Sequence, residues 1–476
     1  MVFSSEVFLF LFLPTFLLAY YATPIAARSL TILIASYIFY GWWRMDFLAL
    51  LFATTVWVYV FAIAVERNLG RPAGKILLAV GIAGCLTVLG VFKYLNFFID
   101  SFAALVGTDA GGLGIHWRLI LPIGISFYVF QSISYLVDVY RRETPATRNF
   151  IDLAAYKALF PQLIAGPILR FKDLADQFKH RDHTIQKFSD GTALFVIGLA
   201  KKALIADPIA PIADSIFSSG HPTLIEAWLG AIAYMMQLYF DFSGYSDMAI
   251  GLGLMIGFRF APNFDMPYLS RSITEFWRRW HISLSNWLRD YLYIPLGGSR
   301  LGPLRTYLNL ILVMLLGGLW HGANWTFVLW GGWHGGWLAL ERATGWNKIA
   351  TSKWIALPLT LLIVLLGWVL FRAESVGVAL ELYAGMLGLN GFWARPELLL
   401  DITHEGLLTL AIGCAVVASE PYLQTFDRTG VAVPGTDGTA TLRQSITVPL
   451  MLTLLATATI LKLAEANHSP FLYFQF

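Results

Sequence analysis

Cysteine is nearly missing from this chain of 476 residues: there are two, Cys85 and Cys414, both in apolar surroundings and without CxxC spacing. A disulfide framework and a thiolate metal site are therefore not indicated, and inert packing is the expectation for both thiols. Charge is scarce as well. Asp, Glu, Lys and Arg make up 13% of the residues, and the net charge is only +3, too small to point to nucleic acid. No HExxH zinc motif and no GxSxG nucleophile elbow occurs, and no internal repeat, low-complexity tract or long polar insertion is visible. Between Thr306 and Leu340 there is no charged residue at all. What fills the chain instead is 57% hydrophobic and 15% aromatic residues with a mean hydropathy of +0.64, a membrane composition.

A bilayer core of about 30 Å needs roughly 20 apolar residues at 1.5 Å each. Apolar runs of that order start near Val7, Leu30, Phe47, Ile76, Leu119, Thr192, Trp228, Leu308, Trp354, Leu407 and Thr447. The expectation is an all-α polytopic protein with about 11 spans. The first run, VFLFLFLPTFLLAYYA, lacks a basic segment before it and a small-residue cleavage site after it, so it reads as a retained helix kinked at Pro14. Two runs fit badly. Trp228–Phe258 is too long for one straight span, and 306–340 is too long for one and too short for two, so broken or re-entrant pieces are expected there. Residues 152–169, interrupted by Pro161, Gly166 and Pro167, read as a re-entrant element lining a cavity.

The basic segments report orientation. ERNLGRPAGK (66–75), RRETPATR (141–148) and RFKDLADQFKHRDH (170–183) fall on the cytoplasmic side by the positive-inside rule, which puts the N-terminus outside after counting back three spans. The stretch from Arg259 to Arg305 carries seven arginines, three acids and many aromatics, the pattern of helices lying in the interface. Ser272 and Glu275 form a capping-box pattern that opens one helix over SITEFWRRWHISLS.

The uncharged run holds His321, Asn324 and His334. A histidine about 15 residues into a span, roughly 22 Å along it, lies inside the membrane, and such residues usually face a partner or an aqueous cavity. Gly317, Gly318 and Gly322 around His321 permit a helix break or the close approach of a ligand. The alternative is a histidine hydrogen-bonded to a carbonyl in a polar seam. For His334, in WGGWHGGW, packing or interface anchoring is favoured, since nothing close in sequence would work with it. Asp241 and Asp247, in YFDFSGYSDMAIGLG, either bind substrate or hold helices together through Arg or hydroxyl contacts, and the structural role is favoured. Without metal-ligand spacing or a serine elbow, a histidine acting as base on an incoming hydroxyl is the chemistry these residues suit.

ITEFWRRWHISLSNWLRDYLYIPLGG (273–298) together with GGLWHGANWTFVLWGGWHG (317–335) resembles the membrane-bound O-acyltransferase family. The resemblance extends through MVFSSEVFLFLFLP, LPIGISFYVFQSISYLVDVYR, LIAGPILRFKDL and YFDFSGYSDMAIGLGLMIGFRF, over about residues 1–375. It is closest to the bacterial polysaccharide branch, the membrane subunit that O-acetylates alginate. Residues 376–476 add little to it. The resemblance implies one membrane-embedded acyltransferase domain over 1–476, built as helices around a central funnel. It implies that the family's nearly invariant histidine is His321 and that its second signature position is His281. It further implies an acetyl thioester donor such as acetyl-CoA and no tightly bound cofactor. Arg278, Arg279 and Arg289 would guide the anionic donor, with Asn324 a further candidate for substrate contact. The implied partners are membrane lipids, periplasmic acetyltransferases and a polysaccharide acceptor, in a bacterial inner membrane. Other envelope polymers (cellulose, peptidoglycan, D-alanylated teichoic acid) are the alternative cargoes. A transporter or flippase without acyl chemistry is the alternative of another class, and it predicts paired repeats.

Overall fold

The computed structural model describes residues 1–346, 352–396, 398, 402–423, 447–465 and 471–472. Among these the secondary structure is helical throughout. By its internal contacts the chain divides into two compact units, Met1–Thr184 with Ile256–Phe260, and Ile185–Met255 with Ala261–Phe476.

The first unit begins with a π-helical stretch Val7–Phe12 that runs into α1 (Leu13–Ala22), followed by α2 (Arg28–Gly41), α3 (Met45–Arg67), α4 (Pro72–Leu89), α5 (Leu95–Leu105) and α6 (Ile125–Tyr140). Then come α7 (Phe150–Ala158), a single turn α8 (Phe160–Leu163) and α9 (Phe171–Lys179). The expected break inside 152–169 is present, at Leu159, but the element is packed in protein: every residue from Leu153 to Leu169 is buried. Phe160 explains why. Its ring lies 5.4 Å from Phe12, 5.0 Å from Phe16 and 5.5 Å from Phe39, so the break pushes an aromatic side chain into the α1–α2 core. The freed backbone is satisfied locally, Phe160 N donating to Ser36 Oγ at 3.2 Å and Gln162 Nε2 to Tyr156 O at 2.9 Å.

The second unit contains α10 (Ile185–Ala200), α11 (Asp207–Phe217), α12 (Leu224–Met255), α13 (Ile273–Arg279), α14 (Ile282–Leu288), α15 (Pro303–His321) and α16 (Trp325–Thr344). It continues with α17 (Lys353–Arg372), α18 (Val376–Met386), α19 (His404–Leu423) and α20 (Thr447–Glu465). The break expected in the long run after Trp228 is not there. α12 is one continuous helix of 32 residues, about 48 Å long at 1.5 Å per residue. It contains no proline, and its glycines serve helix contact instead of a break. A Cβ on Gly191 would lie 2.5 Å from Gly251 O, and one on Gly198 2.4 Å from Gly244 O. Two glycines seven apart on α10 thus meet two seven apart on α12 in antiparallel register, which brings the backbones together as small residues do in membrane bundles.

The uncharged run also resolves differently from expectation. α15 starts at Pro303 and α16 runs to Thr344, so the two helices of 19 and 20 residues draw in Arg305, Glu341 and Arg342 from outside the run. Counting only uncharged residues left each helix too short. Four helices among the described residues are long and apolar enough to cross a membrane: Met45–Arg67, Pro72–Leu105, Pro303–His321 and Lys353–Arg372. Val7–Ala22, Ile25–Gly41 and Val376–Met386 are shorter apolar helices.

Candidate active site

The helical hairpin α15–α16 sets the position of His321. A Cβ on Gly318 would meet Phe327 O at 2.1 Å and one on Gly331 would meet Met314 O at 2.3 Å, so only glycine lets the two backbones approach this closely. His321 is the last residue of α15, and Gly322 leaves the helix in an extended conformation. The ring therefore sits at the helix end, about 27 Å from its start by helical rise, farther along than the 22 Å expected from the sequence. Asn324 opens α16. Its Oδ1 accepts from Thr326 N at 3.1 Å and its Nδ2 donates to Glu374 O at 2.9 Å, so it caps a helix and ties the hairpin turn to the chain after α17.

His281 reaches the same place by a different route. The helix expected over residues 272–285 is two short helices, α13 and α14, separated at Trp280 and His281. The predicted N-cap is present: Ser272 Oγ accepts from Glu275 N at 3.0 Å, while the Glu275 carboxylate accepts from Arg271 N at 2.9 Å. Glu341, near the end of α16, completes the cap, accepting from Ile273 N, Thr274 N and Thr274 Oγ1 at 2.5, 2.9 and 2.8 Å. The helix stops because His281 adopts φ +43°, a left-handed conformation rare for a residue with a Cβ. Asn263 holds that turn. Its backbone O accepts from Ile282 N at 3.0 Å, its Oδ1 from Ser283 N at 3.2 Å and Ser283 Oγ at 2.8 Å, and its Nδ2 donates to Ser246 Oγ on α12 at 3.1 Å. The break turns both Trp280 (3% exposed) and His281 (0%) inward.

The two histidines are neighbours, with ring centroids 6.2 Å apart. Aromatic rings make the walls: Trp320 at 4.9 Å, Trp330 at 5.1 Å and Phe371 at 5.1 Å from His321, and Phe242 edge-on to His281 at 4.8 Å. His321 is 5% exposed. His281 lies outside the candidate spans, and burial pushes its imidazole down to about 3, so the ring is neutral at physiological pH and a weak base, suited to donating or accepting a hydrogen bond. His334 lies one ring further, 5.1 Å from Trp330 and 5.3 Å from Trp277, and is wholly buried. Gly367 makes room for it, since a Cβ there would stand 2.8 Å from His334 Nε2.

The other candidates scatter. Arg278 and Arg289 are exposed, Arg289 pairing with Asp290 at 2.7 Å, and Arg279 pairs with Glu275 at 2.9 Å. Asp241 and Asp247 face lysines, where Arg or hydroxyl partners were expected. Lys202 Nζ lies 2.8 Å from Asp241 and 2.6 Å from Asp207, and Lys201 pairs with Asp247. The second Asp241 oxygen accepts from Leu472 N at 3.0 Å. This geometry favours a helix-holding role for both. Sequence reasoning passed over Glu341, Asn263 and the ring wall. Glu341 had a signal, as the first charge after the uncharged run.

Comparison with known proteins bears on what this site does. The membrane-bound O-acyltransferase family matches residues 139–369, a segment that contains both histidines. Over the full length of both chains the protein is 51% identical to one from Azotobacter vinelandii named probable alginate O-acetylase AlgI, and 52% identical to its Pseudomonas putida namesake. A peptidoglycan O-acetyltransferase of Helicobacter pylori is 38% identical over 82% of this chain and 80% of its own. A teichoic acid D-alanyltransferase of Bacillus subtilis is 26% identical over 54% of this chain and 70% of its own.

Proposed function

The chain belongs to the membrane-bound O-acyltransferase family, and from that premise we propose that it passes an acetyl group from a cytoplasmic thioester across the inner membrane for O-acetylation of alginate, with His321 as the catalytic base. The enzyme class follows from membership; the cargo rests on the full-length similarity to the proteins named as alginate acetylases, against partial similarity to those named for peptidoglycan and teichoic acid. Family membership also sets aside the transporter reading. One observation carries the site: His281 and His321, 40 residues apart in sequence, stand ring to ring inside an aromatic wall.

In this reading a ring nitrogen of His321 takes the proton of an acceptor hydroxyl as its oxygen attacks the thioester carbonyl. The tetrahedral intermediate collapses, the C–S bond breaks, and the leaving thiolate takes the proton back from His321. His281 hydrogen-bonds the developing oxyanion or holds the acceptor, and the aromatic wall keeps water out so that the thioester is not hydrolysed. Acetyl-CoA, or another acetyl thioester, is the donor in this scheme, and Arg278, Arg279 and Arg289 attract it. The whole chain, 1–476, acts as one acyltransferase, crosses the bacterial inner membrane about 11 times with its N-terminus in the periplasm, and works with periplasmic acetyltransferases that complete delivery to the polymer.

The test is complementation. Alginate-producing cells deleted for their own membrane acetylase should regain polymer acetyl ester when they express this chain. Normal membrane abundance with unacetylated alginate and acetylated material in another envelope polymer would reassign the cargo.

A further inference from the structure

Within the first unit, two arginines and a histidine gather, and among the described residues neither arginine makes an ion pair, although Asp182 lies between Arg181 and His183 in the chain. Arg28 opens α2 directly after the 3-10 turn Ile25–Ala27, in a first turn without an acidic residue, and its Nε donates to Thr23 O at 3.3 Å. Its Nη1 lies 3.2 Å from both ring nitrogens of His183. His183 Nε2 is 2.8 Å from Tyr20 Oη, which itself donates to Ile256 O at 2.8 Å. That pattern closes with Nε2 protonated and Nδ1 accepting from Arg28, a neutral imidazole. Burial first, and then Arg28 and Arg181, hold the His183 pKa below its usual value.

Arg181 completes the cluster. Its guanidinium lies 4.7 Å over the Phe258 ring, and its Nη1 is buried without a hydrogen-bond partner among the described residues. Arginines that serve only to set topology extend into water; this one is turned inward at the cost of an unmet donor. No carboxylate oxygen lies within 4 Å of either guanidinium among the described residues, and Asp152 acts on Arg181 only from a distance. Gly257, at φ +87°, lets the chain pass 3.0 Å (as a Cβ would sit) from His183 Nε2 and 3.3 Å from Arg181 Cβ, so the loop 181–183 and residues 256–258 are fitted to each other.

We propose that Arg28, Arg181 and His183, at the N-terminus of α2, form a binding site for a phosphate group. Two guanidinium forks are the donors that phosphate oxygens take, and an anion would relieve the repulsion between them. The site lies in loops that the basic-segment pattern assigns to the cytoplasmic side, beside the exposed Tyr21 ring, so either the headgroup of an anionic phospholipid or a soluble phosphate ester could supply the group. The inference does not depend on the acyl chemistry at His321.

The test uses the full chain in nanodiscs. Binding of adenosine 3′,5′-bisphosphate is measured in pure phosphatidylcholine by calorimetry, and retention of phosphatidylglycerol is measured by native mass spectrometry from discs of mixed phosphatidylglycerol and phosphatidylcholine. The wild type should take up one of the two, which identifies the source. Arg28→Gln and Arg181→Gln should each weaken that binding about tenfold, and Arg118→Gln, at an exposed ion pair with Asp100, should leave it unchanged. Should a glutamine variant fail to fold, Arg28→Lys and Arg181→Lys, which keep the charge but lose the fork, should still bind more weakly than wild type. Wild type that binds neither probe, or folded variants that bind as tightly as wild type, would overturn the proposal.

Discussion

The second unit keeps ionisable side chains in its interior in two opposite ways. On the π-helical stretch Lys201–Ala206 that follows α10, lysines meet carboxylates: the buried Lys202 pairs with Asp241 on α12 and with Asp207, and the half-buried Lys201 with Asp247. Around His281 and His321 the neighbours are aromatic rings. Charges matched in this way are spent on holding helices together, and removing one member leaves the other stranded. The imidazoles of His281 and His321 instead stand among ring faces and edges, at centroid distances of 4.8 to 5.1 Å. In the proposed reading the first arrangement is scaffold and the second is chemistry, and the comparison can be broken from either side.

The largest expected effect is on the chemical side. His321→Ala should lower acetyl transfer about 10³-fold with unchanged membrane abundance, measured as polymer acetyl ester against an immunoblot. On the scaffold side, Lys202→Met should do the reverse, costing about 3–5 kcal/mol of stability and reducing abundance, because two carboxylates lose their cation. Adding Asp241→Leu should recover part of that loss in a thermal unfolding assay. Next comes His281→Asn. Asparagine tolerates the left-handed turn, so the fold should survive while activity falls about 10- to 100-fold; full activity in this variant would reduce His281 to a turn residue. Gly198→Ala would drive a methyl into Gly244 O and should cost about 1–3 kcal/mol without changing the activity of the molecules that fold. Smallest is Asn324→Ala, which removes a helix cap worth about 1 kcal/mol and should be visible only in stability.

How much of this could be read beforehand depended on whether the signal was local. Apolar runs and the Ser272 cap are short-range patterns, and they gave the helical class and the start of α13. His321 stood out because a histidine in an uncharged glycine-rich run needs a reason. The break at His281 was hidden, since FWRRWHISLS has a good helical pattern and the turn is imposed by Asn263, 18 residues earlier, and by the inward packing of Trp280. The continuity of α12 was misread for a similar reason. Its glycines look like breaks in one sequence, and only the facing glycines of α10 make them contacts. The lysine partners of Asp241 and Asp247 lie 39 to 46 residues upstream, beyond any periodic pattern.

The most direct measurement sets His321→Ala and Lys202→Met side by side in the same alginate-producing cells, scoring acetyl ester per polymer and protein per membrane. The account predicts that the first variant is present and inactive and that the second is scarce yet active per molecule. Acetylation that persists in an abundant His321→Ala protein would contradict it.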